Sequence, residues 1–226
     1  ITADSSGAII IGSDGITLQG QDLPGLGLIT DIVGPIATNS FSGIFVDGKS
    51  NITLKDFNLQ NFKYGIMVKN VETLTIQNVL NSGGQRAVNF QIDNSNNVVL
   101  DGMIPNTSSK LFVTNSNEVV IKNNGSSNSW GSIKIGNSHG VEITDSYVSG
   151  PPNYGRGVIS IAGGSSNINI HDSYFSHVNT AGGMFGTYYA EDGSCSSHMV
   201  PRICASVGEI GTGIKISDNT IYGLIS

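Results

Sequence analysis

Through the middle of the chain, apolar residues occupy every second position for a few places, stop at a polar turn, alternate again, and then meet Asp or Asn. The phrase recurs as GIFVDGKSNITLKD, GIMVKNVETLTIQN, NFQIDNSNNVVLDG, KLFVTNSNEVVIKN and SIKIGNSHGVEITD. A period of two marks strands rather than helices. Aligning the second apolar pair of each copy gives Ile52/Leu54, Leu74/Ile76, Val98/Leu100, Val119/Ile121, Val141/Ile143 and Ile168/Ile170, at intervals of 22, 24, 21, 22 and 27 residues. Ile16/Leu18 precede the series and Ile214/Ile216 follow it. A unit this short has no core of its own and must bury its apolar side against the next copy. The pattern predicts an all-β, right-handed parallel β-helix of about eight coils, with the hand taken from the crossover rule for parallel strands.

The first strand of each coil supplies the other inward pairs. These are Ile9/Ile11, Ile44/Val46, Ile66/Val68, Phe90/Ile92, Leu111/Val113, Ile133/Ile135, Ile159/Ile161 and Ala205/Val207. A shorter third strand is marked by Leu59, Leu80, Ile104, Val148, Phe175 and Ile221. The turn between first and second strands carries Gly48, Asn70, Asn94, Asn115, Asn137 and Gly163, and the turn after the second strand carries Asp56, Asn78, Gly102, Asn123, Asp145, Asp172 and Asp218. These residue types satisfy turn backbone. At a strand spacing of about 4.8 Å the four Asn are expected to form one amide ladder.

Composition narrows the function classes. Only 12% of the 226 residues are charged and 30 are Gly, in keeping with stacked strands and polar turns. The net charge of −6 argues against a nucleic-acid partner, which needs clustered Lys and Arg. No apolar run approaches the roughly 20 residues of a membrane span, and ITADSSGAII lacks a basic-then-apolar export signal. The chain reads as one domain over 1–226, either a mature protein or a piece of a longer helix. Cys195 and Cys204 sit in one irregular segment and are expected to form a disulfide, ahead of two free thiols or a metal site, and such a bridge implies maturation outside the cell or in a secretory lumen. With His198 they make an incomplete zinc set. Asn51, Asn106 and Asn124 each begin a glycosylation triplet, a pattern common by chance in an Asn- and Ser-rich chain.

The phrases GIMVKNVETLTIQN and GSIKIGNSHGVEITDSYV resemble the repeats of right-handed parallel β-helix proteins of the pectate-lyase-like superfamily, over nearly the whole chain. That resemblance implies an extracellular protein acting on or binding an acidic or complex polysaccharide. The adjacent aspartates and the Gly-His-Gly of polygalacturonases are absent, and Ser138-His139-Gly140 falls in an ordinary turn between strands. The Arg signature of classical pectate lyases and the Asp-Pro-His of alginate epimerases are absent too.

The longest insertions, Gln21 to Ser42, Ser149 to Arg156 and Val178 to Arg202, fall at one corner of the coil and would wall a groove over the outer face of the first-strand sheet. One outward column on that face runs Phe45, Met67, Gln91, Phe112, Lys134, Ser160, Ser206, and its neighbour runs Asp47, Lys69, Asp93, Thr114, Gly136, Ala162. Asp47 and Asp93 lie two coils apart, about 9 to 10 Å on ideal stacking. That is the upper edge of the roughly 6.5–9.5 Å between an inverting acid and base. The candidate catalytic set is Asp47, Lys69, Asp93 and Arg156. The candidate binding set is Phe45, Met67, Gln91, Phe112, Lys134, Tyr154, Tyr188, Tyr189, Glu191, Asp192, His198 and Arg202, since Tyr rings stack on sugars and Arg forks hold carboxylates. Arg86 and Lys110 fall near the groove's edge, and His171 and His177 lie away from it. A lyase or hydrolase on an acidic glycan is the leading expectation, ahead of a non-catalytic adhesin or tailspike-type fragment and of a structural spacer. No cofactor is expected; calcium is the one cation left open, without a motif for it. Oligomeric state is left open.

Overall fold

A computed structural model describes residues 7–23, 27–28, 30–34, 42–83, 89–105, 109–124, 132–150, 159–162, 164–177, 204–205, 213 and 215–222. The alternating phrases form two long parallel sheets that share one core. The first has eight strands: Gly7–Ile11, Ser42–Asp47, Tyr64–Lys69, Asn89–Asp93, Lys110–Thr114, Ser132–Gly136, Ile159–Ala162 and Cys204–Ala205. The second has nine, running Thr17–Gln19, Ser50–Gln60, Glu72–Gly83, Asn96–Asp101, Asn117–Lys122, His139–Thr144, Asn169–His171 and Lys215–Ser217, with Asp31–Val33 paired to the far end of Ser50–Gln60. A third sheet joins Tyr147–Gly150, Tyr174–His177 and Thr220–Tyr222. Asp22–Leu23 and Gly27–Leu28 form a small antiparallel pair. This is the expected parallel β-helix.

Both inward columns hold register from coil to coil. Ile44, Ile66, Phe90, Leu111, Ile133 and Ile159 align, as do Ile52, Leu74, Val98 and Val119 on the other sheet. Every inward pair from Ile44/Val46 to Ile168/Ile170 is buried. β-Branched side chains dominate, as suits strands whose inner faces stack on one another. At the N-terminal end Ile9, Ile16 and Leu18 are only partly buried, because the first coil has a described neighbour on one side alone.

The turns work by backbone conformation. Gly48, Asn70, Asn94, Asn115 and Asn137 have φ between 45 and 61°, and the column from Asp56 to Asp218 likewise lies in the left-handed region, where Gly, Asn and Asp are least strained. A further left-handed column, Asn51, Thr73, Asn97, Glu118, Gly140 and Asn167, falls at the second residue of each second strand, or just before it in the case of Asn167; its mixture of residue types hides it from pattern reading. Next to the first turn residue, the following side chain points inward and is serine in four successive coils. The backbone N–H of Val71 donates to Ser95 Oγ (3.1 Å), that of Ser95 to Ser116 Oγ (3.1 Å), that of Ser116 to Ser138 Oγ (3.2 Å) and that of Ser138 to Ser165 Oγ (3.3 Å). The hydroxyls of Ser95, Ser116 and Ser138 donate back to the carbonyl two residues earlier. These buried serines therefore satisfy turn N–H groups that no strand pairing reaches.

Several expectations are corrected. The amide ladder is two short ladders, Asn94 to Asn70 to Asp47 and Asn137 to Asn115 to Asp93, because Asn115 Nδ2 turns to the Asp93 carboxylate rather than to Asn94. In the third strand Val79 and Met103 are buried while Leu80 and Ile104 are half-exposed, since the residue directly after the left-handed turn is the one swung inward. Among the described residues the coil led by Asn89–Asp93 is tied to the coil before it on the third side through the isolated bridge Leu80↔Ile104. Cys204 pairs with Ser160 and Ala205 with Ile161, two places from the expected alignment of Ala205 with Ile159 and Ser206 with Ser160. A two-residue slip preserves which face a residue occupies, so apolar alternation does not resist it. Asn124 is buried, with Nδ2 donating to Ser146 Oγ at 3.0 Å, which leaves that glycosylation triplet no exposed acceptor.

Candidate functional site

The outer face of the first sheet carries the two columns read from the sequence. Phe45, Met67, Gln91, Phe112, Lys134 and Ser160 are successive partners across the strands, with Ile10 preceding Phe45. Cys204, not Ser206, follows Ser160 in register. Phe45, Met67, Gln91, Phe112 and Lys134 are all half-buried, and Ile10 is 49% exposed. Lys134 Nζ stands 5.8 Å from the centre of the Phe112 ring, and Lys63 Nζ 5.2 Å from that of Tyr64, at the start of the same sheet's third strand. Aromatic faces attract such cations through their quadrupole. The result is an apolar and aromatic strip edged with ammonium groups.

Beside it, Asp47, Lys69, Asp93, Thr114 and Gly136 are also in register. The two carboxylates therefore stand two strand spacings apart, about 9.6 Å between backbones. Both already accept hydrogen bonds from the turns. Asp47 Oδ1 takes Asn70 Nδ2 at 2.7 Å, and Asp93 Oδ1 takes Thr114 Oγ1 at 2.8 Å and Asn115 Nδ2 at 2.9 Å. Among the described residues Lys69 closes no ion pair with either aspartate, although it lies between them. Charges in this column are held by polar turn groups instead.

The remaining candidates are not brought to this face by anything described. Tyr154, Arg156, Tyr188, Tyr189, Glu191, Asp192, Cys195, His198 and Arg202 lie outside the described residues, as do Arg86, the side chain of Cys204 and most of the three corner insertions. The disulfide expected between Cys195 and Cys204 falls there too. His171 is on the second sheet, away from the first-sheet columns, where its ring bridges two carboxylates: Nε2 is 2.9 Å from Glu142 Oε1 and Nδ1 is 2.7 Å from Asp172 Oδ2. These hydrogen bonds, the one to Asp172 first and that to Glu142 second, raise its pKa above 6.5 against a smaller opposing effect of burial. The sequence places His171 only as a residue away from the groove, and the spacing of Glu142 to His171 across a coil is a signal visible only once the register is known.

Among known families, one family model, described as NosD, periplasmic copper-binding protein, matches residues 3–195. The chain belongs to the NosD family. No curated protein and no solved structure matches it. Membership agrees with a β-helix, and a family described as periplasmic is one that works outside the cytoplasm. No helix among the described residues is long and apolar enough to cross a membrane.

Membership in the NosD family also overturns the expectation of no cofactor, because the family is described as copper-binding. Copper takes imidazole nitrogen and soft sulfur ligands. Among the described residues no group of three or more His, Cys, Asp or Glu is placed to hold a metal ion. Both nitrogens of His171 face carboxylates. His139 has Nδ1 2.6 Å from Ser166 Oγ and accepts Asn167 Nδ2 at Nε2, 3.1 Å away. Met103 is sealed in the core, while Met67 lies on the first-sheet strip. The described residues thus do not fit a copper site. Four more donors of the sequence, Met184, Cys195, His198 and Met199, fall in 178–203, outside the described residues.

Proposed function

We propose that the chain is an exported β-helix protein that holds an anionic polysaccharide along the outer face of the first sheet. The observation that carries this reading is the in-register strip Phe45, Met67, Gln91, Phe112 and Lys134, apolar or aromatic at three of its positions, with Lys134 over Phe112 and Lys69 in the next column. Sugar rings present apolar faces that stack on such a strip, and an extended pyranose chain advances by about one strand spacing per residue. In a protein of net charge −6, the lysines at the strip supply the local attraction that a polyanion needs. Arg156 and Arg202, with the tyrosines of the corner insertions, are proposed to complete the groove.

A catalytic version of the same reading is favoured by one arrangement, Asp47 and Asp93 flanking Lys69 at two-coil separation. In that version the two carboxylates act as acid and base, and Lys69 with Arg156 neutralises the uronate. The experiment is a panel of uronans and neutral glycans incubated with the full chain. Binding is read by calorimetry, lyase products by ultraviolet absorbance of the unsaturated sugar, and hydrolase products by reducing ends. The reading expects salt-sensitive binding of uronans over neutral glycans, and product only in the catalytic version. Equal binding of both classes, or binding of neither, would reject it.

A further inference from the structure

Glu142, His171 and Asp172 meet on the outer face of the second sheet and have no part in the glycan reading. Glu142 belongs to the strand His139–Thr144 and His171 to the strand of the next coil, Asn169–His171, while Asp172 is the left-handed turn residue that follows. The contact of Glu142 with His171 therefore ties one coil to the next, and that of Asp172 ties the ring to its own turn. An imidazole with a carboxylate oxygen at each nitrogen must carry both protons to donate to both. Once neutral, it turns a lone pair toward one of those anions.

The surroundings reinforce this dependence. On the earlier coil, Thr144 Oγ1 lies 3.5 Å from His171 Nδ1 and donates to Asp145 Oδ2 at 3.0 Å. On the later coil, Ser217 is the strand partner of His171 and Asp218 follows it in the turn, while Lys215 pairs with Asn169. Lys122, the partner of Thr144, is drawn to Asp101, 3.6 Å away on the earlier side. The groups that meet the ring are thus Glu142, Asp172 and the Thr144 hydroxyl, with Asp145 and Asp218 in the turns of the neighbouring coils and Lys215 the one described cation on the later strand. An anionic setting of this kind favours the charged ring.

We infer that Glu142, His171 and Asp172 form a proton-operated clasp between two successive coils, closed while His171 is an imidazolium and released when the ring loses a proton. Because the folded value lies above the unfolded 6.5, the clasp contributes fully below pH 6.5 and is lost as pH rises through the raised folded value. It sits at the turn that feeds the third sheet, whose strands Tyr147–Gly150 and Tyr174–His177 start three and two residues beyond Thr144 and Asp172. A protein outside the cytoplasm meets the pH of its surroundings directly, so the hold on these coils follows that pH.

The test is nuclear magnetic resonance of the His171 Cε1–H in the full chain across the mildly acid to mildly alkaline range, with amide exchange at Ile170 and Ile216 followed over the same range. The expected result is titration above 6.5, a lower value in Glu142→Gln and in Asp172→Asn, and amide protection, taken relative to the intrinsic base-catalysed rate at each pH, that falls several-fold as His171 titrates. Titration of the unaltered protein at or below 6.5, a value unmoved by Glu142→Gln, or protection that does not follow the His171 titration would overturn the clasp. The unaltered protein alone decides the matter if the variants fail to fold.

Discussion

On the second sheet, outward charges answer one another across the coils: Lys122 lies 3.6 Å from Asp101, and His171 bridges Glu142 and Asp172. On the first sheet the same pleat and the same spacing put Lys69 between Asp47 and Asp93, yet the aspartates are taken by Asn70, Thr114 and Asn115, and Lys134 stands over the Phe112 ring. On the second-sheet face Lys122 and His171 each meet a carboxylate, while Lys55 and Lys215 form no ion pair among the described residues. The other keeps its carboxylates in the turn ladders, sets Lys134 beside an aromatic ring and leaves Lys69 without an ion pair to either aspartate, the arrangement expected of a surface that meets an anionic and partly apolar ligand. The difference teaches that a solenoid's repeat dictates where side chains stand, while the choice at each outward position assigns a face its use.

The largest effect should come from breaking the core that both faces stand on. Ile76→Asp, Ile121→Asp or Ile143→Asp puts an unpaired charge in a dry stack, a cost of several kcal/mol against a typical total of about 5–15 kcal/mol. Expression should yield no soluble protein with a cooperative melt. Soluble, cooperatively melting protein from all three would show that these positions are not interior.

A smaller loss should separate the two turn columns beneath the faces. Ser116→Ala leaves the N–H of Ser95 buried without its acceptor, at a cost of about 1–3 kcal/mol. Asn115→Ala removes amide contacts to Asp93 and Asn137 that are exposed to water, and should cost less in a denaturant titration. Equal losses in the two would mean that the buried serine ladder has no special part.

This contrast also marks how far the sequence alone could go. The strands and core were legible because side chains alternate with a period of two and Ile, Leu and Val fill one phase of it, from Ile44 to Ile170. The turn columns were legible because Gly, Asn and Asp favour left-handed backbone. What could not be read was choice among near-equivalent partners: Asn115 reaching Asp93 rather than Asn94, Val79 turning inward instead of Leu80, and Cys204 facing Ser160 after a two-residue slip. In the candidate site, the columns through Phe45 and Asp47 followed from alternation. The clasp at His171 did not, since it joins residues 29 apart whose meeting depends on register. The copper description of the NosD family had no counterpart in the motifs, as Met67, Met103, His139 and His171 stand singly on different coils and faces of the repeats.

The third test exchanges the faces' roles. Phe112→Ala and Lys69→Ala should each weaken uronan binding by about tenfold, or ~1.4 kcal/mol, with thermal stability nearly unchanged. Glu142→Gln on the second sheet should leave binding as it was. Weakening by Glu142→Gln equal to that by Lys69→Ala would dissolve the distinction between the faces. The smallest effect belongs to Lys122→Ala, whose partly exposed pair with Asp101 should be worth about 0–1 kcal/mol in a melt at low salt and less at high salt.

The most direct measurement is a map of where a uronan oligosaccharide touches the folded chain. Backbone amide shifts would be recorded during a titration with an oligogalacturonate and with a neutral oligoglucan. The account predicts that oligogalacturonate moves the amides of Phe45, Met67, Gln91, Phe112 and Lys134 together and saturably, with Thr75, Val99, Val120 and Glu142 on the opposite sheet left in place. Shifts centred on the second sheet, or no saturable shifts with any uronan, would contradict it.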